Sequence, residues 1–327
     1  MKLLRFILFA LAWVAAVLCA AWAFGALYFD FPKAGPLIAI VFLIVLVASV
    51  ILVRGKLLKL AILFVAFAVV DVWWFTLKPR NDREWQPDVA RTAWADVNGD
   101  KMTIHNVRNC DYRTETDFTC QWETRTMRLS QITGMDAAIN YWGSPWIAHP
   151  IVSFQFSDGL PLCFSIETRK TLGQQYSTLE GFYRQYALIY VVADERDCIR
   201  LRTNYRREDV YLYHTLASPA QARERFLEYM KTLNALHENP RWYNAVTSNC
   251  TTSIRTQRAV KIRAPWDWRI LLNGKMDEML YQDHAIATGG FSFAELKRRS
   301  LINKRAQAAD QNPDFSRVIR DGLPRSD

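Results

Sequence analysis

The chain has 327 residues, half of them apolar, and 41 basic against 32 acidic side chains give it a formal charge of +9. Its apolar residues crowd toward the N-terminus, which excludes an ordinary soluble domain for that part of the chain. No recognition motif accompanies the basic balance, so nucleic acid is a poor partner for it.

Residues 6–29 and 35–53 contain no charge, and residues 60–77 contain only Asp71. A helix rises about 1.5 Å per residue, so each run can cross a hydrocarbon core about 30 Å thick. Three transmembrane helices are therefore expected, over about 6–29, 35–53 and 57–77, as a membrane anchor spanning residues 1–78. Lys2 and Arg5 also suit the charged start of a secretory signal, but the first run is long for one and further spans follow it. Placing the N-terminus inside puts Lys2, Arg5, Arg54, Lys56 and Lys59 in the cytoplasm. Lys33, Lys78, Arg80 and Arg83 then face outward, and the rest of the chain lies in the periplasm of a multi-pass inner-membrane protein.

Closely spaced Pro79, Asn81, Asp82 and Pro87 mark residues 79–90 as a linker, with one domain over 91–327. Residues 93–97 and 102–107 alternate around Asn98-Gly99, a hairpin turn signal, and 127–132 is a further short strand. Cys110 and Cys120 flank a polar excursion and suit a hairpin disulfide. Outside the first span, Cys163, Cys198 and Cys250 remain. An odd count in an oxidising compartment leaves at least one thiol free, and a Cys163–Cys198 bond would leave Cys250. Cys163 could equally be a buried thiol.

Residues 149–156 and 161–169 form the best-defined hairpin. On the first strand His149, Ile151, Ser153 and Gln155 share a face; on the second Cys163, Ser165, Glu167 and Arg169 share the more polar one. A three-residue loop, Ser157-Asp158-Gly159, matches like faces and puts His149 across from Glu167. Downstream, 179–192 reads as helix and 208–214 as strand. Ser218-Pro219-Ala220-Gln221 is an N-cap with proline at the first helical position and a capping-box glutamine. Weaker helices are expected over 276–280 and 293–301, and the tail from residue 306 reads as irregular. The order of elements gives an α+β fold. The cluster of Lys297, Arg298, Arg299, Lys304 and Arg305 is a solvated basic face or a contact for anionic headgroups.

Cysteine attacks as thiolate, favoured by an imidazolium or a helix start. Ser248 or Asn249 can cap a helix that opens at Cys250, and backbone amides around Asn249 and Thr251 could then face an oxyanion. By itself Asn-Cys-Thr-Thr also suits a structural cysteine. Among five histidines, His105 and His237 read as surface or packing residues and His214 as a satisfied core-edge residue. His284 would suit a cysteine-then-histidine order. His149 is favoured as base because Glu167 stands opposite to orient its ring, although Glu167 could instead pair with Arg169. No spacing of ligands suggests zinc or another metal, and no cofactor motif occurs.

His149-Pro150, the run Ser165-Ile166-Glu167-Thr168-Arg169, Ser248-Asn249-Cys250-Thr251-Thr252 and the segment from Phe315-Ser316 to Leu323-Pro324 resemble the periplasmic domain of Lnb-type lipoprotein N-acyltransferases. The resemblance spans roughly residues 85–324. It implies a circularly permuted papain-like (NlpC-type) fold, with Cys250 as nucleophile, His149 as base and Glu167 as the orienting residue. The order differs in one respect: Lnb proteins carry their membrane helices after this domain, and here three precede it.

The expectation is a membrane-anchored thiol acyltransferase, taking an acyl chain from membrane lipids and passing it to an amine such as the N-terminus of a diacylated lipoprotein. A cysteine hydrolase (peptidase, amidase or lipase) is the second reading. A non-catalytic tethered module is the third, favoured if Cys250 pairs with Cys163 or Cys198.

Overall fold

The computed structural model describes residues 2–256, 267–270 and 272–325. The chain divides into two compact units.

The first comprises Met1–Asn81, Gln175–Ala187 and Arg241–Ala245. It holds α1 (Lys2–Asp30), α2 (Gly35–Leu52) and α3 (Lys56–Thr76), each long and apolar enough to cross a membrane. Ala16, Ala23 and Ala26 of α1 are fully buried, since small side chains let helices approach closely without a hydrophobic drive from water. Leu46, Leu60 and Leu63 fill the space beside Ala16. At the end of α1, the Asp30 carboxylate accepts from Trp74 Nε1 at 2.7 Å and Gln185 Nε2 at 2.6 Å. The Arg184 guanidinium stacks 3.9 Å from the Trp74 ring. Gly25 faces the Tyr183 hydroxyl so closely that a Cβ there would stand 1.9 Å from it, which fixes glycine at that position.

The second unit comprises Asp82–Gln174, Leu188–Pro240 and Val246–Asp327. Its framework is an eight-stranded mixed sheet ordered β1-β2-β7-β6-β5-β4-β8, with β3 also paired to β2. The strands are β1 (Trp94–Asn98), β2 (Lys101–Tyr112), β3 (Phe118–Arg128), β4 (Ile132–Tyr141), β5 (Ala148–Phe156), β6 (Leu162–Arg169), β7 (Ala187–Asp194) and β8 (Asp209–His214). The turn Gly99–Asp100 joins β1 to β2, one residue past the expected Asn98–Gly99, with Asn98 paired to Lys101 and Gly99 at φ 59°. The disulfide Cys110–Cys120 clamps β2 to β3 near their far turn. With three membrane-length helices in front, the architecture is α+β.

Helix α5 (Pro219–Glu238) covers one face of the sheet. Ser218 caps it: the hydroxyl accepts from Gln221 N while the Gln221 side chain accepts from Ser218 N. Its Phe226 meets Phe154 edge-on at 4.9 Å between ring centroids, and Tyr229 lies 4.8 Å from Phe164. Burying such a ring contributes roughly 1.5–3 kcal/mol. The other face is covered by α4 (Glu195–Arg200), α9 (Asn303–Ala308) and α10 (Phe315–Val318), with Cys198, Ile199, Ala306, Phe315, Ile319 and Leu323 in one core with Ile151 and Cys163. This second layer is unusually polar. Arg108 donates to buried Asp197, Ser153 to Glu195, and Arg320 to both Glu195 and Asp136.

Several elements differ from their sequence reading. Residues 179–192 are not a helix: a single turn at Glu180–Phe182 precedes β7. All eight residues of β7 are buried, so both faces are apolar and the period-2 alternation that marks a strand disappears. The strand expected over 127–132 divides into the end of β3, the turn Leu129–Gln131 and the start of β4. β4 itself left no reading, because Gly134, Asp136 and Asn140 interrupt its apolar pattern. The tail is not irregular, as α9 and α10 pack into the core. The expected linker is pinned as well, Gln86 N donating to Lys170 O and Val89 buried at 3% exposure.

Candidate functional site

Hairpin β5–β6 sets the site's geometry. The loop Ser157–Gly159 turns through Gly159 at φ 106°, a left-handed conformation that glycine adopts without steric cost. Pairs Ile151↔Ser165, Val152↔Phe164, Ser153↔Cys163 and Phe154↔Leu162 follow, and the same register carries Glu167 across from His149. On the other side of β5, Asn140 of β4 pairs with His149 and its Nδ2 donates to the His149 carbonyl at 2.6 Å. The histidine backbone is thus held from the β4 side.

His149 is 6% exposed. Its Nε2 lies 2.7 Å from Ser165 Oγ and 3.2 Å from Glu167 Oε1. Ser165 Oγ donates to that same oxygen at 2.6 Å. A carboxylate only accepts, so the hydroxyl proton goes to Glu167, and Ser165 in turn accepts from an Nε2–H. The Cys250 side chain neighbours the ring and favours its charged form. Burial disfavours the imidazolium, but the Glu167 charge and the thiol contact outweigh it and push the His149 pKa up to about 9.

Glu167 is held by a second layer. The turn after α4 brings Arg202 Nη2 to 2.7 Å from Glu167 Oε1, and Arg202 Nη1 reaches the Glu208 carboxylate at 3.0 Å. Burial would raise the Glu167 pKa; the charges of His149 and Arg202 prevail and hold it well below the usual carboxylate range. Arg169, on the face where it could have paired with Glu167, donates to the carbonyls of Val89 and Ala90.

Cys250 opens α6 (Cys250–Thr256), which packs against β5 and β6. Asn249 is its N-cap: Oδ1 accepts from Thr252 N at 2.9 Å, and the Asn249 carbonyl accepts the first helical bond, from Ser253 N. This explains how three residues of modest helix propensity begin a helix. Cys250 is 8% exposed, and Thr251 Oγ1 lies 3.8 Å from its sulfur. Asn273 Nδ2 approaches the sulfur at 3.5 Å and Thr251 Oγ1 at 3.0 Å.

The structure thus gathers Cys250, His149 and Glu167, with Asn249 as cap and Thr251 beside the thiol. Of the cysteines marked for bridging, Cys110 and Cys120 are bonded, while Cys163, Cys198 and Cys250 are free. Cys163 and Cys198 share one core, and burial pushes the Cys163 thiol well above its ordinary value. The other histidines are engaged elsewhere or exposed. His105 stacks on Trp94, His237 bonds Thr92, His214 bonds Asp136, and His284 lies in an exposed turn at φ 51°. Sequence reasoning assigned no role to Ser165, Arg202, Glu208 or Asn273. Ser165 alone left a trace, as the residue between His149 and Glu167 on the polar face. Among the described residues, no group of three or more His, Cys, Asp and Glu is disposed to hold a metal ion.

Fold and site together define an α+β domain behind three membrane-length helices, carrying a buried thiol–imidazole–carboxylate cluster. Residues 118–274 match the family described as the Lnb N-terminal periplasmic domain. That segment runs from β3 to the Asn273 turn, contains the whole cluster and matches the family its motifs pointed to. No curated protein and no solved structure matches the chain.

Proposed function

We propose that this protein is a multi-pass inner-membrane thiol acyltransferase with its second unit in the periplasm, and that Cys250 is its nucleophile. The observation that carries the reading is a buried cysteine, on a helix packed against β5 and β6, beside a buried histidine that Glu167 pairs at 3.2 Å. His149 takes the thiol proton. The thiolate attacks an ester carbonyl of a phospholipid, and the tetrahedral intermediate collapses to a thioester. His149 returns its proton to the departing lysophospholipid oxygen. An amine, such as the N-terminus of a diacylated lipoprotein, then attacks the thioester. His149 accepts the amine proton and the Cys250 thiolate leaves, giving an amide.

Chain order supports the reading: His149 on one strand, Glu167 on the next, then Cys250 at a helix start, as the permuted papain-like arrangement has it. The match of residues 118–274 to the Lnb N-terminal periplasmic domain supports amine acylation over hydrolysis. The free state of Cys250 removes the pairing that would favour a purely structural module.

Intact-mass measurement of the full-length protein incubated with phospholipid tests it. The expected result is an acyl-sized, hydroxylamine-labile adduct, present in the wild type and missing from Cys250→Ala. No adduct together with an unreactive Cys250 thiol would refute the reading.

A further inference from the structure

We infer that Asn273 is the donor that stabilises the oxyanion formed at Cys250; the inference rests on the acylation chemistry proposed above. Asn273 lies in the turn Asn273–Lys275 and is 8% exposed. Its Oδ1 accepts from the backbone N–H of Ala148 at 2.8 Å. An N–H can only donate, so the oxygen must be the atom that faces Ala148, and the amide nitrogen must face the other way. That nitrogen is the atom 3.5 Å from Cys250 Sγ and 3.0 Å from Thr251 Oγ1. Its two protons are thereby spoken for: one goes to Thr251 and the other points at the reacting sulfur.

The turn that carries Asn273 is rigid for steric and polar reasons. A Cβ on Gly274 would stand 2.4 Å from the Pro145 carbonyl oxygen and 2.4 Å from the Trp146 carbonyl carbon, so only glycine lets the turn approach so near. Gly274 N donates to Trp146 O at 3.0 Å, and the Tyr141 hydroxyl donates to Gly274 O at 2.9 Å. Lys297 pairs at 2.7 Å with Asp277, one turn of chain further on. Asn273 is tied to Ala148, the neighbour of His149, so base and donor are positioned by the same strand end.

When Sγ attacks a carbonyl, the new negative charge develops on an oxygen one bond beyond the carbon that joins the sulfur. An amide already touching that sulfur reaches this oxygen with little movement, and a donor fixed in advance costs no reorganisation as the charge appears. Removing one such donor lowers the rate by about 10²–10³-fold.

Two full-length variants test the role. Asn273→Ala removes the side chain, and Asn273→Asp keeps an acceptor for Ala148 while losing the donor. Each is compared with the wild type in acylation of Cys250, by phospholipid and by a p-nitrophenyl acyl ester. The control is the pH-independent rate of alkylation by iodoacetamide, which attacks at saturated carbon and forms no oxyanion. Acylation is expected to fall at least about 10²-fold in both variants, with limiting alkylation within a few-fold of the wild type. Acylation near the wild-type rate in either variant, or parallel loss of alkylation, would overturn the assignment of Asn273 alone. A wild type acylated by neither reagent would overturn the acylation reading and this inference with it.

Discussion

One oxygen, Glu167 Oε1, receives donors from Ser165, Arg202 and His149 at 2.6, 2.7 and 3.2 Å. Its negative charge is the main favourable influence on the His149 imidazolium. The sign of the pH dependence follows. His149 has its pKa raised from 6.5 to about 9, so its contribution to stability is full below 6.5 and lost as pH rises through about 9. Glu167 has its pKa lowered from 4.5, so its contribution is present above 4.5 and lost as pH falls through the depressed value. Both act together between roughly pH 4.5 and 6.5. Replacing Glu167 with Gln leaves the hydrogen-bonding shape and removes the charge. The His149 titration midpoint, followed by NMR of the ring protons, should drop well below 9 in Glu167→Gln; a midpoint unchanged from the wild type would show that Glu167 does not control the ring. The pair itself was legible because strand alternation and the loop Ser157–Gly159 fix a register. Arg202 was not, because nothing in its local sequence says that the turn after α4 folds back over β6.

At the scale of elements, α5 and β7 show where local signals suffice. The capping box of Ser218 and Gln221 marks the helix start, and the buried stripe Phe226, Met230, Leu233 marks its inner face. Both are short-range features. Ser218→Ala should destabilise the unit by about 1 kcal/mol, read from a denaturant midpoint shift with an unchanged slope. A loss below a few tenths would mean that the cap is redundant with the packing of α5 on Phe154 and Phe164. β7 has no comparable mark. Its eight buried residues read equally as a buried helix, and only its place between β2 and β6 decides the matter. The helix α6 is intermediate: the Asn249 cap is visible in the sequence, whereas the packing of α6 on β5 and β6 that brings the thiol to His149 is not.

Across the second unit as a whole, the C-terminal segment closes the polar layer beneath the sheet. Arg320 Nη1 binds Glu195 at 2.7 Å and Nη2 binds Asp136 at 2.8 Å, and both acidic side chains are almost fully buried. Asp136 also holds His214. Removing the arginine would leave two carboxylates without their counter-charge in a dry layer. Arg320→Met should therefore cost about 3–5 kcal/mol, seen as a lowered unfolding midpoint. A variant as stable as the wild type would show that water or local rearrangement compensates for the lost ion pairs. The tail reads as irregular in sequence because α9 and α10 have only six and four residues. Helices so short do not persist on propensity; they exist here because Ala306, Phe315, Ile319 and Leu323 find a core made by strands far away in the chain.

The sequence by itself determined the three membrane-length helices, the α+β character, the β1–β2 and β5–β6 hairpins, the capped α5 and the Cys110–Cys120 staple. It also singled out Cys250, His149 and Glu167. Each of these depends on apolar run length, periodicity, turn chemistry or a motif within a few residues. Tertiary structure alone decided the strand identity of residues 187–194, the ordering of the tail, the Ser165 bridge, the Arg202–Glu208 clamp and the aim of Asn273 at the thiol. Those features join residues separated by long stretches of chain, so what fixes them is close packing and the need of buried charges for partners, and neither leaves a local pattern.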